Sequence, residues 1–182
     1  MNADKHGPDR DRNKAPEQVA IVSVAPADVE RIAALAGEIW RRHYADIISR
    51  AQIEYMLKQR YDPRLIRAEL KRQDLWWDKL LVGAEIAGFA SYFLSGQPGE
   101  MKLDKLYVHQ NHQRRGYGGR LIAHVGERAR EQGCARLVLT VNRNNHHAIA
   151  AYRKHGFQVS AERVKAIGGG FVMDDYVMVR DI

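Results

Sequence analysis

A short segment rich in glycine and arginine is the part of this sequence that most clearly predicts chemistry. It reads Gln113-Arg-Arg-Gly-Tyr-Gly-Gly-Arg120 and lies between a strand pattern that ends near Val108 and an amphipathic helical pattern. Glycine lets the backbone adopt left-handed angles and approach a ligand closely. The first turn of a helix presents unpaired N–H groups and a partial positive charge. The segment therefore predicts a phosphate-binding turn, for which a pyrophosphate is a suitable ligand.

Other glycine-rich motifs fit this segment badly. A P-loop needs Lys followed by Ser or Thr after its last glycine, whereas Arg120 and Leu121 follow Gly119. A dinucleotide-binding fingerprint would need a small residue in place of Leu121 and an N-terminal βα unit. A flexible surface loop with solvated charges is the alternative that the segment alone leaves open.

The charge of the chain favours an anionic partner. The 182 residues carry a formal net charge of +7, and the charges of residues 1–17 cancel. Residues 102–120 contain five basic residues and one acid, Asp104. Because this excess coincides with the glycine-rich turn, it indicates phosphate on a small ligand rather than nucleic acid. A second basic stretch, residues 58–72, is interpreted as a solvated helix face.

Strand and helix patterns surround the segment without a strict βα order. Strands are predicted for residues 19–24, 75–82, 85–94, 102–108, 136–141, 158–164 and 176–180. Helices are predicted to begin near Pro26, Ala51, Pro63, Gly119 and Asn145. Residues 136–141 form a near-continuous apolar run, as expected of a strand that is covered on both faces. This mixture favours an α+β or mixed-sheet α/β domain.

A second motif lies on a later predicted helix and reads Asn145-His-His-Ala-Ile-Ala-Ala-Tyr-Arg-Lys-His-Gly-Phe157. It resembles the pattern Asn-x-x-Ala-x-x-x-Tyr-x-x-x-Gly-Phe of the GNAT superfamily of N-acetyltransferases. The segment Gln113-Arg-Arg-Gly-Tyr-Gly118 is similar to the Gln/Arg-x-x-Gly-x-Gly/Ala signature of the same family. The two motifs have the family's order and spacing, and the resemblance covers residues 102–157. Met173-Asp-Asp-Tyr-Val-Met178 also resembles, weakly, a common pattern of the family's last strand.

This resemblance implies an α/β (α+β) fold with a mixed, mostly antiparallel sheet of six or seven strands. Helices would cover both faces, and two central parallel strands would splay apart. Acetyl-CoA would enter that splay as cosubstrate, between the strand that ends at Val108 and the strand of residues 136–141. The glycine-rich turn would bind the diphosphate of acetyl-CoA, and the strand that ends at Val108 would contact the pantetheine. The implied cofactor-binding residues are Leu106, Tyr107, Val108, Gln113, Arg114, Arg115, Gly116, Tyr117, Gly118, Gly119, Arg120 and Asn145.

The resemblance also implies direct attack of a neutral amine on the thioester. This reaction needs a deprotonated amine, a stabilised oxyanion and a proton for the thiolate that leaves. Tyr152 matches the motif tyrosine and is the implied general acid, because a phenol with a reference pKa of about 10 is protonated at neutral pH. The backbone N–H of Val108 is the implied oxyanion donor. The structural alternatives are a core aromatic for Tyr152 and a helix N-cap for Asn145.

Asp104 is the candidate proton acceptor. Regular strand alternation places Asp104, Leu106 and Val108 on one face, so the carboxylate should point to the same cleft as the thioester. There it could take a proton from the amine, directly or through water, or it could only attract a cationic amine. An ion pair with a neighbouring lysine is the alternative.

Aromatic residues of the early helices are candidates for the acceptor pocket, because these helices flank the splay in the family. Trp40, Tyr44 and Tyr61 could form an aromatic wall that holds an ammonium group before it is deprotonated. Ordinary core packing is the alternative for each of them. The acceptor is predicted to be a small amine or a protein amine. The alternative function is a catalytically weak acyl-CoA-binding sensor module of the same fold.

The remaining expectations concern organisation and location. Residues 1–17 are expected to form a disordered N-terminal tail, and residues 18–182 a single N-acetyltransferase domain. The single cysteine, Cys134, and the lack of an apolar leader or spanning segment are expected of a cytoplasmic protein without a membrane partner. The histidines lack the partners and spacing of a zinc site, so no metal is predicted. A homodimer is left open.

Overall fold

The computed structural model describes residues 17–182, which form a seven-stranded sheet with helices packed on both faces. The strands are β1 (Val19–Ser23), β2 (Leu75–Val82), β3 (Glu85–Leu94), β4 (Glu100–Val108), β5 (Arg136–Asn142), β6 (Gln158–Gly168) and β7 (Phe171–Asp181). The helices are α1 (Val29–His43), α2 (Arg50–Tyr61), α3 (Pro63–Glu69), α4 (Tyr117–Glu131) and α5 (His146–Lys154). The expected N-terminal tail lies outside the described residues, apart from Glu17.

The sheet has the order β1-β2-β3-β4-β5-β7-β6, and its central pairing, β4 with β5, is parallel. The pairings β1–β2, β2–β3, β3–β4, β5–β7 and β6–β7 are antiparallel. β4 and β5 pair only over residues 100–102 and 136–138, after which they separate. The structure thus confirms the mixed, mostly antiparallel sheet and its central splay.

Amphipathic helices build a separate hydrophobic core on each face of the sheet. α1 buries Ile32, Ala36 and Ile39 at three- and four-residue steps, and these residues pack with α2 and α3 on one face. α4 buries Leu121 and Val125 on the opposite face, where α5 also packs. The splay therefore lies between two cores and opens toward both.

A β-bulge at Asp104 changes the orientation of the second half of β4. Leu103 and Lys105 pair with consecutive residues of β3, so Asp104 is an extra residue in the strand. Leu103, Leu106 and Val108 pack against the α4 core, whereas the Asp104 side chain bonds to α2 on the other face. The expectation that Asp104 shares a face with Leu106 and Val108 is therefore wrong, because regular alternation does not continue through a bulge.

The β6–β7 hairpin is longer than the alternating pattern predicted. Its strands pair as far as Gly168 and Phe171 and turn through glycines with positive φ. Helix α2 supports it, because the Tyr55 hydroxyl donates to the Ile167 carbonyl at 2.7 Å and Gln52 Nε2 donates to the Val172 carbonyl at 3.0 Å. These side-chain bonds join segments more than 100 residues apart, which local periodicity cannot report.

Candidate active site

A cleft of about 320 Å³ opens where β4 and β5 separate. On the α4 side it is lined by glycines of the α4 N-terminus and by α5. On the other side it is lined by aromatic and charged residues of α1, α2, β4, β6 and β7. Two ligands that approach from opposite faces of the sheet can therefore meet inside it.

The first turn of α4 offers the backbone donors that the glycine-rich segment predicted. Gly116 precedes the helix with φ 79°, and Arg114 also has positive φ, at 62°. The helical hydrogen bonding starts with Arg120 N–H donating to the Gly116 carbonyl at 3.1 Å. Within residues 17–182, the N–H groups of Tyr117, Gly118 and Gly119 consequently lack hydrogen-bond partners. Gly118 and Gly119 line the cleft, so this helix start is suited to an anion there.

The backbone of β4 also presents free groups to the cleft. His109 N–H donates to the Ala87 carbonyl of β3 at 2.8 Å. The backbone N–H and C=O groups of successive residues point to opposite edges of a strand. The backbone groups of Leu106 and Val108 therefore point away from β3, into the gap where β5 has separated from β4. The Val108 carbonyl accepts a hydrogen bond from Gln113 Nε2 at 3.0 Å. A polar, extended ligand can pair with this edge as a strand would.

The arginines of the segment do not all lie where the sequence placed them. Arg114 and Arg115 are exposed and are not part of the cleft lining, and Arg115 Nη1 lies 3.8 Å from Glu17 Oε2. Arg120 lines a separate hollow next to β1, so the structure does not bring its side chain to the cleft. Tyr117 is buried in the α4 core, and Gly116 caps the helix outside the cleft lining.

Tyr152 and Asn145 both line the cleft from α5 and its N-terminus. Tyr152 is half-buried with its ring 5.6 Å from that of Phe157. Burial raises the pKa of the Tyr152 phenol above its ordinary value, so this hydroxyl is protonated at neutral pH. Asn145 is the N-cap of α5, since its Oδ1 accepts from Ala148 N–H at 3.3 Å.

The predicted aromatic residues come together as one cluster on the opposite wall. The Trp40 and Tyr44 rings are 4.3 Å apart, and Trp40 Nε1 donates to the Tyr61 hydroxyl at 3.2 Å. The hydroxyls of Tyr44 and Tyr107 are 3.2 Å apart. Burial raises the pKa of both tyrosines well above the ordinary value, so both remain neutral hydrogen-bonding groups.

Asp104 is engaged in ion pairs. Its Oδ2 lies 2.6 Å from Arg60 Nη2 and 2.7 Å from Lys105 Nζ, and Lys105 is buried above the Trp77 ring. Burial opposes ionisation, but the charges of Lys105 and Arg60 outweigh it and hold the pKa of Asp104 at about 2. A carboxylate with so low a pKa is a weak base at neutral pH. Arg60, interpreted from sequence as part of a solvated helix face, is instead a wall of the cleft.

Asp175 is a cleft residue that the sequence reasoning missed. It lies half-buried on β7, and its Oδ1 is buried without a hydrogen-bond partner among the described residues. Burial and the charge of Asp174 raise the pKa of its carboxyl. The adjacent pair Asp174-Asp175 was an available signal, because strand alternation must turn one of two neighbouring residues toward the cleft.

Two further features of residues 17–182 concern metal ions and membranes. In this part of the chain, no group of three or more His, Cys, Asp or Glu side chains is arranged to hold a metal ion. None of its helices combines the length and apolar character needed to cross a membrane.

The splay, the helix start and the two motifs agree with a comparison to known families. The family model described as "Acetyltransferase (GNAT) family" matches residues 30–157. The chain belongs to this GNAT family. It is therefore an acyl-CoA-dependent N-acetyltransferase that uses acetyl-CoA as cosubstrate.

Individual GNAT relatives are similar to this chain over about half to nine tenths of its length. Spermidine N(1)-acetyltransferase of Thermoplasma acidophilum is 24% identical over 86% of this chain and 96% of its own length. Spermine/spermidine N(1)-acetyltransferase of Bacillus subtilis is 32% identical over 48% of this chain and 59% of its own length. The crystal structure of the PaiA N-acetyltransferase of Thermoplasma acidophilum with coenzyme A has a TM-score of 0.78 at 21% identity and covers 91% of this chain and 99% of its own. This likeness confirms the fold.

Proposed function

We propose that this GNAT enzyme transfers the acetyl group of acetyl-CoA to a primary amine by direct attack. The observation that carries the proposal is a single cleft reached from both sheet faces, with anion-binding N–H groups on one side and an aromatic, acid-containing wall on the other. Two of the relatives described above are named as acetyltransferases of spermidine or spermine, which supports a primary amine as acceptor.

On the cosubstrate side, backbone groups do most of the binding. Bound acetyl-CoA supplies an activated thioester. The N–H groups of Gly118 and Gly119 hold the diphosphate, and the free edge of β4 at Leu106 and Val108 aligns the pantetheine. The Val108 N–H donates to the acetyl oxygen and stabilises the negative charge that develops there.

Tyr152 completes the transfer as general acid. The amine nitrogen forms a C–N bond to the acetyl carbon, the C–S bond breaks, and the sulfur takes the proton of the Tyr152 hydroxyl. The proton that the new amide nitrogen loses restores the phenol, directly or through water. The raised pKa of Tyr152 keeps this proton in place until the thiolate forms.

Asp175 is the better candidate than Asp104 for accepting the proton of the incoming ammonium. Asp104 is paired with Arg60 and Lys105, whereas Asp175 has a raised pKa and a buried oxygen that no other described residue hydrogen-bonds. Its carboxylate takes one ammonium proton and leaves the neutral amine that the attack requires. Asp104 then acts as the counter-ion that holds Arg60 in the wall and neutralises the buried Lys105.

A thiol-release assay with acetyl-CoA and a panel of amines tests the proposed function. At least one amine should raise the rate well above the background hydrolysis of acetyl-CoA, and mass spectrometry should find the acetylated amine. Saturable acetyl-CoA binding together with equal background rates for every amine would favour the sensor module of the same fold.

The variant Asp175→Asn tests the proton acceptor, with Asp174→Asn as its matched neighbour. Asp174 pairs with Arg143 instead of lining the cleft, so its variant should keep parental kcat at neutral pH, and loss of the Asp174 charge should move the fall in kcat to lower pH. Asp175→Asn should lower kcat by about a hundredfold, within the usual range for loss of a general base. In the parent enzyme, kcat should fall as the pH decreases because Asp175 becomes protonated. Asp175→Asn should not show this fall. Parental kcat in Asp175→Asn would remove this assignment.

A further inference from the structure

Three basic side chains line the acceptor side of the cleft, which is the side that also contains Trp40, Tyr44 and Tyr61. Lys102 is half-buried on β4, and Arg163 and Lys165 lie on β6. None of the three forms an ion pair with a carboxylate within residues 17–182. A row of unneutralised cations at a ligand site indicates a ligand with negative charge.

These cations face the acceptor and point away from the α4 side. Met101 and Leu103 pack in the α4 core, so Lys102 between them points to the other face. Arg163 and Lys165 pair with Asp175 and Met173 across the β6–β7 ladder. Alternate β7 residues pack in the α4 core, so these pairs lie on the acceptor face.

The nearby carboxylates are too few to neutralise the wall. Within residues 17–182, the cleft lining contains four lysine and arginine side chains and two carboxylates, an excess of two positive charges. They are Arg60, Lys102, Arg163 and Lys165 against Asp104 and Asp175. Glu162 and Asp174 contact Arg143 instead and do not line the cleft, and the cleft residues of α1 and α2 include no acid.

The spacing of the cations suits a carboxylate or a phosphate. Arg163 and Lys165 are two residues apart on one face of a strand, which separates their Cα atoms by about 7 Å. Burial and the nearby charges of Arg60, Arg163 and Lys165 lower the pKa of Lys102, although Asp104 opposes this. A bound anion would relieve this repulsion and accept charge-assisted hydrogen bonds from both strands.

We propose, on the basis of the amine transfer proposed above, that the acceptor is an amine that also carries a carboxylate or a phosphate. Lys102, Arg163 and Lys165 bind that acidic group, and the amine of the same molecule reaches Asp175 and the thioester. A polyamine, which carries only positive groups, would meet repulsion from this wall. An amine without an acidic group would lack the ionic interactions with these cations that position the acceptor.

Matched acceptors that differ only in the acidic group test the proposal. Suitable pairs are lysine with cadaverine, ornithine with putrescine, and phosphoethanolamine with ethanolamine. In each pair where transfer is detected, the acidic member should have a kcat/KM at least about tenfold higher, which corresponds to about 1.4 kcal/mol. A preference for the non-acidic members would overturn the inference and leave amine transfer itself intact. Absence of transfer to every amine would instead argue against the proposed function.

A charge-removal variant shows whether these cations cause the preference. The double variant Arg163→Ala/Lys165→Ala should abolish most of the preference and leave the KM for acetyl-CoA unchanged. The control Arg31→Ala/Lys71→Ala removes the same charges from exposed positions outside the cleft lining and should keep the preference. The opposing result is that the double variant raises the KM for acetyl-CoA and leaves the KM for acetyl-dephospho-coenzyme A, which lacks the 3′-phosphate, unchanged. That result would show that the cations bind the 3′-phosphate of the coenzyme, and it would overturn the inference.

Discussion

Replacing the Asp104 carboxylate with an amide distinguishes a structural counter-ion from a proton acceptor. In the folded protein, Lys105 and Arg60 bring the pKa of Asp104 from 3.8 to about 2 against the effect of burial. One unit of pKa difference between the folded and unfolded states corresponds to about 1.4 kcal/mol, so the carboxylate contributes about 2 kcal/mol to folding at pH 7. Asp104→Asn should lower the free energy of unfolding by that amount, because Asn keeps the size of the side chain and removes its charge.

The direction of the pH dependence follows from the lowered pKa. The contribution of Asp104 is complete above the unfolded-state pKa of 3.8 and is lost as the pH falls through the folded-state pKa of about 2. The stability difference between the parent and Asp104→Asn should therefore be constant from pH 7 to pH 5. It should fall to about half at pH 3. Urea unfolding followed by tryptophan fluorescence at each pH measures this difference.

Asp74→Asn is the control, because Asp74 pairs with Arg72 in an exposed ion pair. It should change the free energy of unfolding far less than Asp104→Asn does. Asp104→Asn should also keep the parent's loss of kcat at low pH, since another group accepts the proton. The counter-ion role would be refuted by parental stability at pH 7, by a deficit that is the same at pH 7 and pH 3, or by a kcat that no longer falls at low pH.

Three further substitutions examine how the cleft is built. Tyr152→Phe should lower kcat by about a hundredfold, because the general acid is lost. The unfolding midpoint should not change, because no described group forms a hydrogen bond with the Tyr152 hydroxyl. Parental kcat in this variant would contradict the role of Tyr152 as general acid. Gly119→Ala places a Cβ 2.7 Å from His155 Cε1, so the half-buried imidazole must move aside, at a cost of about 0.5–1.5 kcal/mol of stability. A double-mutant cycle with His155→Ala should recover most of that loss, and additive losses would contradict the clash. Gly88→Ala places a Cβ 2.6 Å from the Tyr107 carbonyl oxygen, so β4 must shift. Because β4 aligns the thioester, kcat/KM for acetyl-CoA should fall at least about tenfold. An unchanged kcat/KM would mean that the position of β4 is not critical.

The features that could be predicted from sequence are those that local patterns encode. Glycines at the start of α4 and apolar periodicity within each helix report on their own element, so the helix was predicted to begin near Gly119, two residues from its observed start at Tyr117. The resemblance supplied the mixed sheet and the splay between its two parallel strands, which no local pattern contains. Tyr152 and the three aromatic residues were found as members of a motif or of the flanking helices, and the structure places them around one cleft.

The features that could not be predicted depend on distant partners. The bulge at Asp104 exists only relative to the register of β3, and it reverses the face of the residues that follow. Arg60 meets Asp104 across 44 residues, so its sequence neighbours gave no sign that it would leave the solvated face. Asp174 and Asp175 are equivalent acids in the sequence. Only the pairing of β7 with β5 and β6 shows that their side chains lie on different faces of the sheet.

The position of β6 at the end of the sheet has a consequence for the behaviour of the protein at high concentration. One side of this 11-residue strand has no neighbouring strand among residues 17–182, and such an exposed backbone ladder can pair with the same ladder of another molecule. Arg163 and Lys165 oppose that pairing, because two copies of the strand would bring like charges together. A lineage that lost both cations would therefore risk aggregation as well as a change of acceptor.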